Sequence, residues 1–382
     1  MSLAIASPSA QAASETFIRM QVERLPCRMR IHGGPVANET IPGGPIEPLR
    51  SIRGLMDTAI EVLLYGSKWD GPQRKELKRR LKRQGIRVIL ANYGPCAVAL
   101  LPVCVDLNIA LVAHFHGYDA HLGSIVREYG DRYRELGRVA RTVIAVSSVM
   151  AQTLEGLGVP RKLIRIVRCG SDERLFCEKR VFPQNPLYFG VGRFVDKKAP
   201  YLTLLAFAKV RERCPAARLV LAGEGPLLEV TQNLARALGL SSAVEFPGVV
   251  TPDQVAKYMQ EATAFVQHSI VPHVGPSRGD SEGTPVAVLE AMLTGLPVVA
   301  TRHAGIGEVI QDGKTGLLIE ERDIDGMAKA MLKVAQDRDF ARALGQAARR
   351  EALEKYTGDC YIRSLKEILN EAAGLELESR AA

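Results

Sequence analysis

The chain has 382 residues, 47% hydrophobic and 24% charged, which is too long for one small module and too mixed in composition for a disordered or fibrous protein. Its formal charge of +8 is unevenly placed: residues 1–180 hold 27 Lys and Arg against 17 Asp and Glu, a net +10, and the remainder holds 23 against 25, a net −2. No stretch approaches the roughly 18 uninterrupted apolar residues of a membrane-spanning helix, the longest candidate, residues 96–107, being broken by Pro102 and Asp106.

The opening MSLAIASPSAQAASETF lacks the positively charged start of a secretory signal, so residues 3–7 read as a first buried strand. Seven scattered cysteines without a C-x-x-C pair point away from a disulfide framework and structural zinc, and toward a reducing, cytoplasmic setting. Ser14 and Glu15 read on their own as a helix cap and a first-turn charge. Further strands are expected at residues 29–32, 87–91, 110–115, 142–146 and 163–167, with helices between them.

Much of the basic excess lies in residues 74–87, RKELKRRLKRQGIR, from Arg74 to Arg87, where Leu77 and Leu81 give a narrow apolar stripe on a cationic helix. This reads as a solvated helix face, or as attraction to an anionic surface such as phospholipid headgroups at the inner face of a membrane, or to a lipid-linked diphosphate. No RNP-like aromatic run, zinc finger or helix-turn-helix pattern accompanies the charge, so no nucleic-acid partner is expected. His114 and His116 would share one face if the fourth strand ran through both. No matching Cys, His or carboxylate set stands beside them, and no metal is expected.

Residues 169–186 are polar and Pro-containing and read as an interdomain connection. A second series of strands follows at residues 187–191, 218–222, 244–247, 264–267, 297–301 and 316–319. Strands alternating with amphipathic helices from end to end make the class α/β with parallel sheets. Two such series suggest two Rossmann-like domains facing across a cleft, with ligands at the carboxyl ends of the strands. The expected division is 1–180, 181–357, and a C-terminal segment 358–382 whose helix packs back on the first domain.

The segment most informative about chemistry is SEGTPVAVLEAMLTGLPVVAT, residues 281–301. Thr284 followed by Pro285 predicts a helix start, with Thr as cap and Pro at the first helical position. The helix N-terminus would then fall directly after Glu282 and Gly283, where free amides and the positive end of the dipole seat a diphosphate. Glu290 lies four residues after Val286 on the same face, within reach of ribose hydroxyls, and Glu282 would face whatever the diphosphate carries. Two Glu spaced E-x7-E around a Pro-capped helix start, then G-x-P-V-V-A, resemble the donor-site signature of the family-4 glycosyltransferases of the GT-B fold.

Other segments agree with this resemblance in order and spacing. VGRFVDKK, residues 191–198, is similar to the family's G-R-x-x-x-x-K, with Gly192 at the strand end and Arg193 and Lys198 in the two basic positions. Such cations offset the charge that builds on a departing nucleoside diphosphate. LAGEGP and FPGVV resemble the next two strand-end turns, and CGSDERLF, residues 169–176, the linker N-G-V-D-x-x-x-F with Cys and Ser in place of Asn and Val. AHFHGYD, residues 113–119, resembles H-G-x-D, which selects His116 as the residue that touches the transferred sugar and Asp119 as one that orients the loop. SETFI, residues 14–18, resembles a subgroup that builds exopolysaccharides of the colanic-acid type, which puts Ser14, Glu15 and Asp119 on the acceptor side. The Gly-Gly loop that many members carry after the first strand is absent there; Gly33-Gly34 and Gly43-Gly44 come too late to supply it.

The resemblance implies a retaining transferase that moves a sugar from a UDP- or GDP-linked donor to a saccharide or lipid-linked acceptor, with no cofactor or metal. Glu282, His116, Arg193 and Lys198 would be catalytic; Gly192, Gly283, Thr284, Pro285, Val286 and Glu290 would bind the donor. A nucleotide-sugar epimerase of the same architecture and a non-enzymatic sugar-nucleotide binding protein stand as alternatives. Asp323-Ile-Asp325 has the form of a metal-binding D-x-D but opens a helix, and is read as structural.

Overall fold

The computed structural model describes residues 2–8, 15–32, 38–40, 72–178 and 183–374. The chain divides into two units, Met1–Val167 with Tyr361–Ala382, and Arg168–Cys360. The first unit carries the strands β1 (Leu3–Ser7), β2 (Cys27–His32), β3 (Asn38–Thr40), β4 (Val88–Asn92), β5 (Ala110–His114), β6 (Thr142–Ala145) and β7 (Ile164–Ile166), in the sheet order β3-β2-β1-β4-β5-β6-β7. All neighbours pair in parallel except β2 and β3. β1 and β4 are buried along their whole length, which is why LAIAS and VILAN read as continuous small or apolar runs and not as alternating ones. The strand order reverses between β1 and β4, so the chain leaves those two strands in opposite directions at their carboxyl ends.

The second unit repeats this logic with β8 (Leu187–Val191), β9 (Arg218–Ala222), β10 (Val244–Glu245), β11 (Ala264–Gln267), β12 (Val298–Thr301) and β13 (Leu317–Ile319), in the order β10-β9-β8-β11-β12-β13. Alternate residues feed two cores. Phe189, Val220, Phe265 and Val298 pack on one face with Val288, Leu289 and Met292 of the helix Val286–Leu293. Tyr188, Leu219, Val266 and Val299 pack on the other with Phe207, Met327 and Met331 of the helices Pro200–Arg213 and Ile324–Gln336. Here the order turns back between β8 and β11, which sets their two carboxyl ends as the place for a ligand.

Two details differ from the sequence expectations. β3, an antiparallel edge of Asn, Glu and Thr, offers no apolar run and went unpredicted. The first unit ends at Val167, not at residue 180, because Ser171 pairs with Thr357 and Phe176 is buried in the second unit's core, so most of the expected connection 169–186 belongs to that unit. The final helix is Gly358–Ala372, and the unit that claims Tyr361–Ala382 is the first.

In the second unit the helix Arg338–Lys355 lies so close to the turn after Val286–Leu293 that a methyl group on Gly345 would overlap the Gly295 carbonyl oxygen. Gly345→Ala is therefore expected to lower unfolding stability by about 1–3 kcal/mol, the usual cost of overpacking. Urea denaturation followed by circular dichroism measures it.

Candidate functional site

The carboxyl end of β8 runs into Gly192 and Arg193, and a short helical turn Asp196–Lys198 brings two consecutive lysines back beneath them. The segment after β11 arrives from the neighbouring strand. Lys197 is buried and holds Asp280 Oδ1 at 3.0 Å and the Ser281 carbonyl at 3.2 Å. Lys198 holds Glu282 Oε1 at 3.0 Å. Two cations and two carboxylates thus interlock the loops. Lys197, which the motif did not single out, is the more deeply buried of the two lysines, with 7% of its side chain exposed against 19% for Lys198.

Glu282 is 7% exposed and also accepts from Ser269 Oγ at 3.3 Å. Burial alone would raise its pKa, but the charges of Lys198 and Lys197 overcome burial and hold it down at about 2. Its backbone N–H donates to His303 Nε2 at 3.2 Å, and His303 Nδ1 meets Glu321 Oε1 at 2.6 Å. Burial likewise opposes ionisation of Glu321, yet the His303 ring and the Val271 amide bring its pKa below the usual carboxylate range. Arg193 is exposed, and no ion pair among the described residues engages it. With Gly192, Lys198, Pro200, Thr203 and Gln267 it lines a pocket over the ends of β8 and β11.

The helix that follows starts one residue later than expected. Its first residue is Val286 and its cap position is Pro285, without a side-chain cap bond. Thr284 does not cap it, because its Oγ1 accepts from the Cys169 N–H at 3.3 Å. By helix geometry the amides of Val286 and Ala287 have no partner within the helix, so the anion-receptive end remains beside Gly283. A methyl group on Gly305 would overlap the Gly283 carbonyl, so the loop after β12 fixes the height of that turn. Glu290 is 8% exposed and touches Ser171 Oγ at 3.5 Å. Burial drives its pKa up to about 8, with Ser171 pulling weakly the other way, so it is a neutral acid at pH 7, able both to donate to and accept from a diol.

In the first unit, β4 ends in Asn92 and β5 in His114, with His116 just beyond. Asn92 Nδ2 donates to the Ala6 carbonyl at 3.2 Å and to Gln21 Oε1 at 2.8 Å, so its Oδ1 is the acceptor that faces His116 Nε2 at 2.8 Å. Among the described residues, none partners the buried His116 Nδ1. Its ring lies between Phe17 and Tyr93, with centroids 4.4 and 4.9 Å away. Burial, then the neighbouring His114, lowers its pKa well below the ordinary value. His114 is wholly buried, 3.4 Å from Gln21 Nε2, with its pKa pushed down to about 3 by burial. Gln21 also donates to the Tyr361 hydroxyl at 2.7 Å. Asp119 accepts from the amides of Gly94, His116 and Gly117 at 3.0, 3.0 and 2.8 Å and so ties the loop after β5 to the one after β4.

Ser14, Gly33-Gly34 and Gly43-Gly44 lie outside the described residues. Glu15 occupies the cap position of the helix Thr16–Arg24 but makes no cap bond; its Oε1 accepts from the Tyr93 hydroxyl at 3.0 Å instead. In the basic helix Pro72–Arg83, Leu77 and Leu81 are buried, Arg74 and Lys78 pair with Asp106, and Arg79 and Arg80 pair with Glu76. Asp323 caps the helix Ile324–Gln336 by accepting from Gly326 N at 2.7 Å. Among the described residues no group of three or more His, Cys, Asp or Glu is placed to hold a metal ion. Motif reasoning missed Lys197, Ser269 and His303 in the second unit and Gln21, Asn92 and Tyr361 in the first. Two adjacent lysines answering D-x-E were the one available signal.

The family described as "Glycosyl transferases group 1" matches residues 172–351, and "Glycosyltransferase Family 4" matches residues 49–175. WcaL of Escherichia coli K12, named as a colanic acid biosynthesis glycosyltransferase, is 30% identical over 287 residues, 74% of this chain and 70% of WcaL. AmsK of Erwinia amylovora, an amylovoran biosynthesis glycosyltransferase, is 29% identical over 69% of this chain and 64% of its own. Among solved structures, Anabaena HepE in complex with UDP-glucose superposes with a TM-score of 0.75 at 16% identity, over 97% of this chain and 100% of HepE, a likeness of fold.

The raised pKa of Glu290 has a linked effect on stability. Its folded value of about 8 lies above the ordinary 4.5, so the folded state keeps a proton that the unfolded state releases, and stability drains away as pH rises between those values. Glu290→Gln, which keeps the neutral shape, is expected to gain on wild type steadily from pH 4.5 to pH 8 and to hold a constant advantage above that. Paired urea titrations across that range check the sign.

Proposed function

The chain belongs to the family-4, group 1 glycosyltransferases, and from that premise we propose that it transfers a sugar, with retention of configuration, from a UDP- or GDP-linked donor to a saccharide or lipid-linked acceptor during synthesis of an exopolysaccharide or other cell-surface glycan. The observation that carries this reading is the cluster at the sheet's reversal point: Arg193, Lys198, Glu282 and the start of the helix Val286–Leu293 stand together at the ends of β8 and β11. The WcaL and AmsK names supply the glycan class.

In this reading the diphosphate lies against Arg193, Lys198 and the amides near Gly283, Thr284, Pro285 and Val286, and Glu290 receives the ribose. The bond from the anomeric carbon to the diphosphate oxygen breaks as the acceptor hydroxyl approaches the same face. The acceptor's proton passes to that departing oxygen. Glu282, ionised because Lys198 and Lys197 face it, steadies the positive charge at the sugar ring. His116 offers Nδ1 to a sugar hydroxyl, its Nε2–H being fixed by Asn92. Positive charge comes from the side chains and the helix end, so the proposal needs no metal.

Arg193→Ala is expected to weaken nucleoside diphosphate binding by about 10- to 100-fold, since a charged hydrogen bond is worth about 1.5–3 kcal/mol. Glu282→Gln should bind the same nucleotide and transfer about 100-fold more slowly. Calorimetry with UDP and GDP, together with a diphosphate-release assay, separates the two. Equal turnover in Glu282→Gln and wild type would remove Glu282 from the mechanism.

For the basic helix we propose charge-driven attraction to an anionic membrane at the cytoplasmic face. Its leucines are turned inward, leaving Lys75, Arg79, Lys82 and Arg83 exposed, so adsorption would be electrostatic and free of insertion. The protein is expected to float with phosphatidylglycerol vesicles at low salt and to be released at high salt, where the screening length shortens to a few ångströms. Absence of flotation at low salt rejects the proposal.

A further inference from the structure

Segment 271–281 runs from the end of the β11 region to Glu282, and four of its consecutive residues, His273 to Pro276, are exposed, as is Arg278. A loop of that kind does not place a catalytic carboxylate by itself. Both of its ends are tied to one pair of side chains. At the start, the Val271 N–H donates to Glu321 Oε2 at 2.9 Å and the Val271 carbonyl accepts from Arg322 Nη2 at 2.7 Å. At the finish, the Glu282 N–H donates to His303 Nε2 at 3.2 Å, and Ser281 Oγ stands 3.3 Å from the same nitrogen. Between the two, His303 Nδ1 and Glu321 Oε1 are 2.6 Å apart, with His303 buried on all sides.

An amide N–H can only donate, so His303 Nε2 is an acceptor and its ring proton sits on Nδ1, pointing at Glu321. The carboxylate fixes the tautomer, and the tautomer makes the acceptor that Glu282 needs. The base of this device is itself held: Arg322, at a φ of +68, gives its N–H to His268 Nε2 at 2.9 Å and a guanidinium N–H to Glu321 at 3.2 Å.

We propose that His303 and Glu321 form a clasp that closes the base of segment 271–281 and sets the position of Glu282, making His303 a positioning residue for sugar transfer. The proposal rests on the glycosyl-transfer reading. It goes beyond it by naming two residues outside the donor-site signature, contributed by the loops after β12 and β13. His303 touches the backbone at Glu282 and leaves the Glu282 carboxylate to Lys198 and Ser269. Its loss therefore acts on alignment more than on donor affinity.

Two substitutions divide the ring's two functions. His303→Gln puts an amide oxygen near the place of Nε2 and keeps an acceptor for Glu282, while His303→Asn keeps a donor toward Glu321 and removes that acceptor. With UDP-glucose and GDP-mannose as donors, His303→Asn is expected to lose up to about 100-fold in kcat, the cost of misplacing a reacting group by about an ångström, with little change in donor KM. His303→Gln should recover most of that loss. Trypsin, read by the fragment ends at Arg278 and Gly279, should cut His303→Asn faster than wild type or His303→Gln under conditions where all three remain folded by circular dichroism.

Cleavage at Arg278 that is equal in His303→Asn and wild type overturns the clasp. Faster cleavage with unchanged kcat overturns the positioning role, as does an equal loss of kcat in both variants. If wild type turns over neither donor, that outcome bears on the transfer reading for these two sugars, and the tryptic comparison alone decides whether the clasp exists.

Discussion

The arrangement at the ends of β8 and β11 depends on a carboxylate that is buried and still charged. Removing Glu282 from water opposes its ionisation, and the surrounding positive charge, Lys198 first and then Lys197, reverses that preference. A buried ion pair contributes little net stability, because desolvation cancels most of the attraction, but losing one partner costs several kcal/mol. The pair therefore acts as a register device. The loop after β8 and the loop before the helix Val286–Leu293 must meet with Lys198 opposite Glu282 and Lys197 opposite Asp280, or leave charges stranded.

Glu290, one E-x7-E interval further along, shows how position alone separates two identical side chains. Among the described residues no cation lies against it, and burial takes its pKa to about 8 while that of Glu282 stays near 2. Divergent values of this kind separate two states: one carboxylate is charged and the other keeps a proton with which it can donate a hydrogen bond. They also bound the stable pH range from both sides. Stability from Glu282 is present above pH 4.5 and lost as pH falls toward 2, whereas the cost of Glu290 grows as pH rises from 4.5 to 8.

Much of this was legible in the sequence, for identifiable reasons. Strand runs such as LYFGV, RLVLA and AFVQ are short and bounded, and the structure gives them the expected limits. Glu282, Glu290, Arg193 and Lys198 were visible because each pair stands within one short run of the chain, VGRFVDKK and SEGTPVAVLE, where spacing alone carries a pattern. What stayed hidden needs contact between distant segments: Asn92 meets His116 from another strand, His303 meets Glu282 from the far side of a helix, and Phe176 leaves its apparent linker for a core. Thr284-Pro285 shows the other kind of failure. The local cap signal was sound, but Cys169 took the hydroxyl, and the helix began at Val286.

His303 and His116 make concrete the contrast between a ring engaged at both nitrogens and a ring engaged at one. His303 spends both ring nitrogens on the protein, Nδ1 on Glu321 and Nε2 on the Glu282 amide, so nothing is left to offer a substrate. Among the described residues His116 spends only Nε2, on Asn92, and its Nδ1 is a buried acceptor that none of them meets, in a residue that is only half-buried as a whole. An unmet acceptor costs free energy that a hydroxyl would return. The opposite tautomers follow from those partners: Asn92 Oδ1 can only accept and the Glu282 amide can only donate, so His116 carries its proton on Nε2 and His303 on Nδ1. Burial lowers the pKa of His116, which keeps that Nδ1 lone pair free across the physiological range. A neutral acceptor of this kind can take a hydrogen bond from a hydroxyl without bringing a charge of its own.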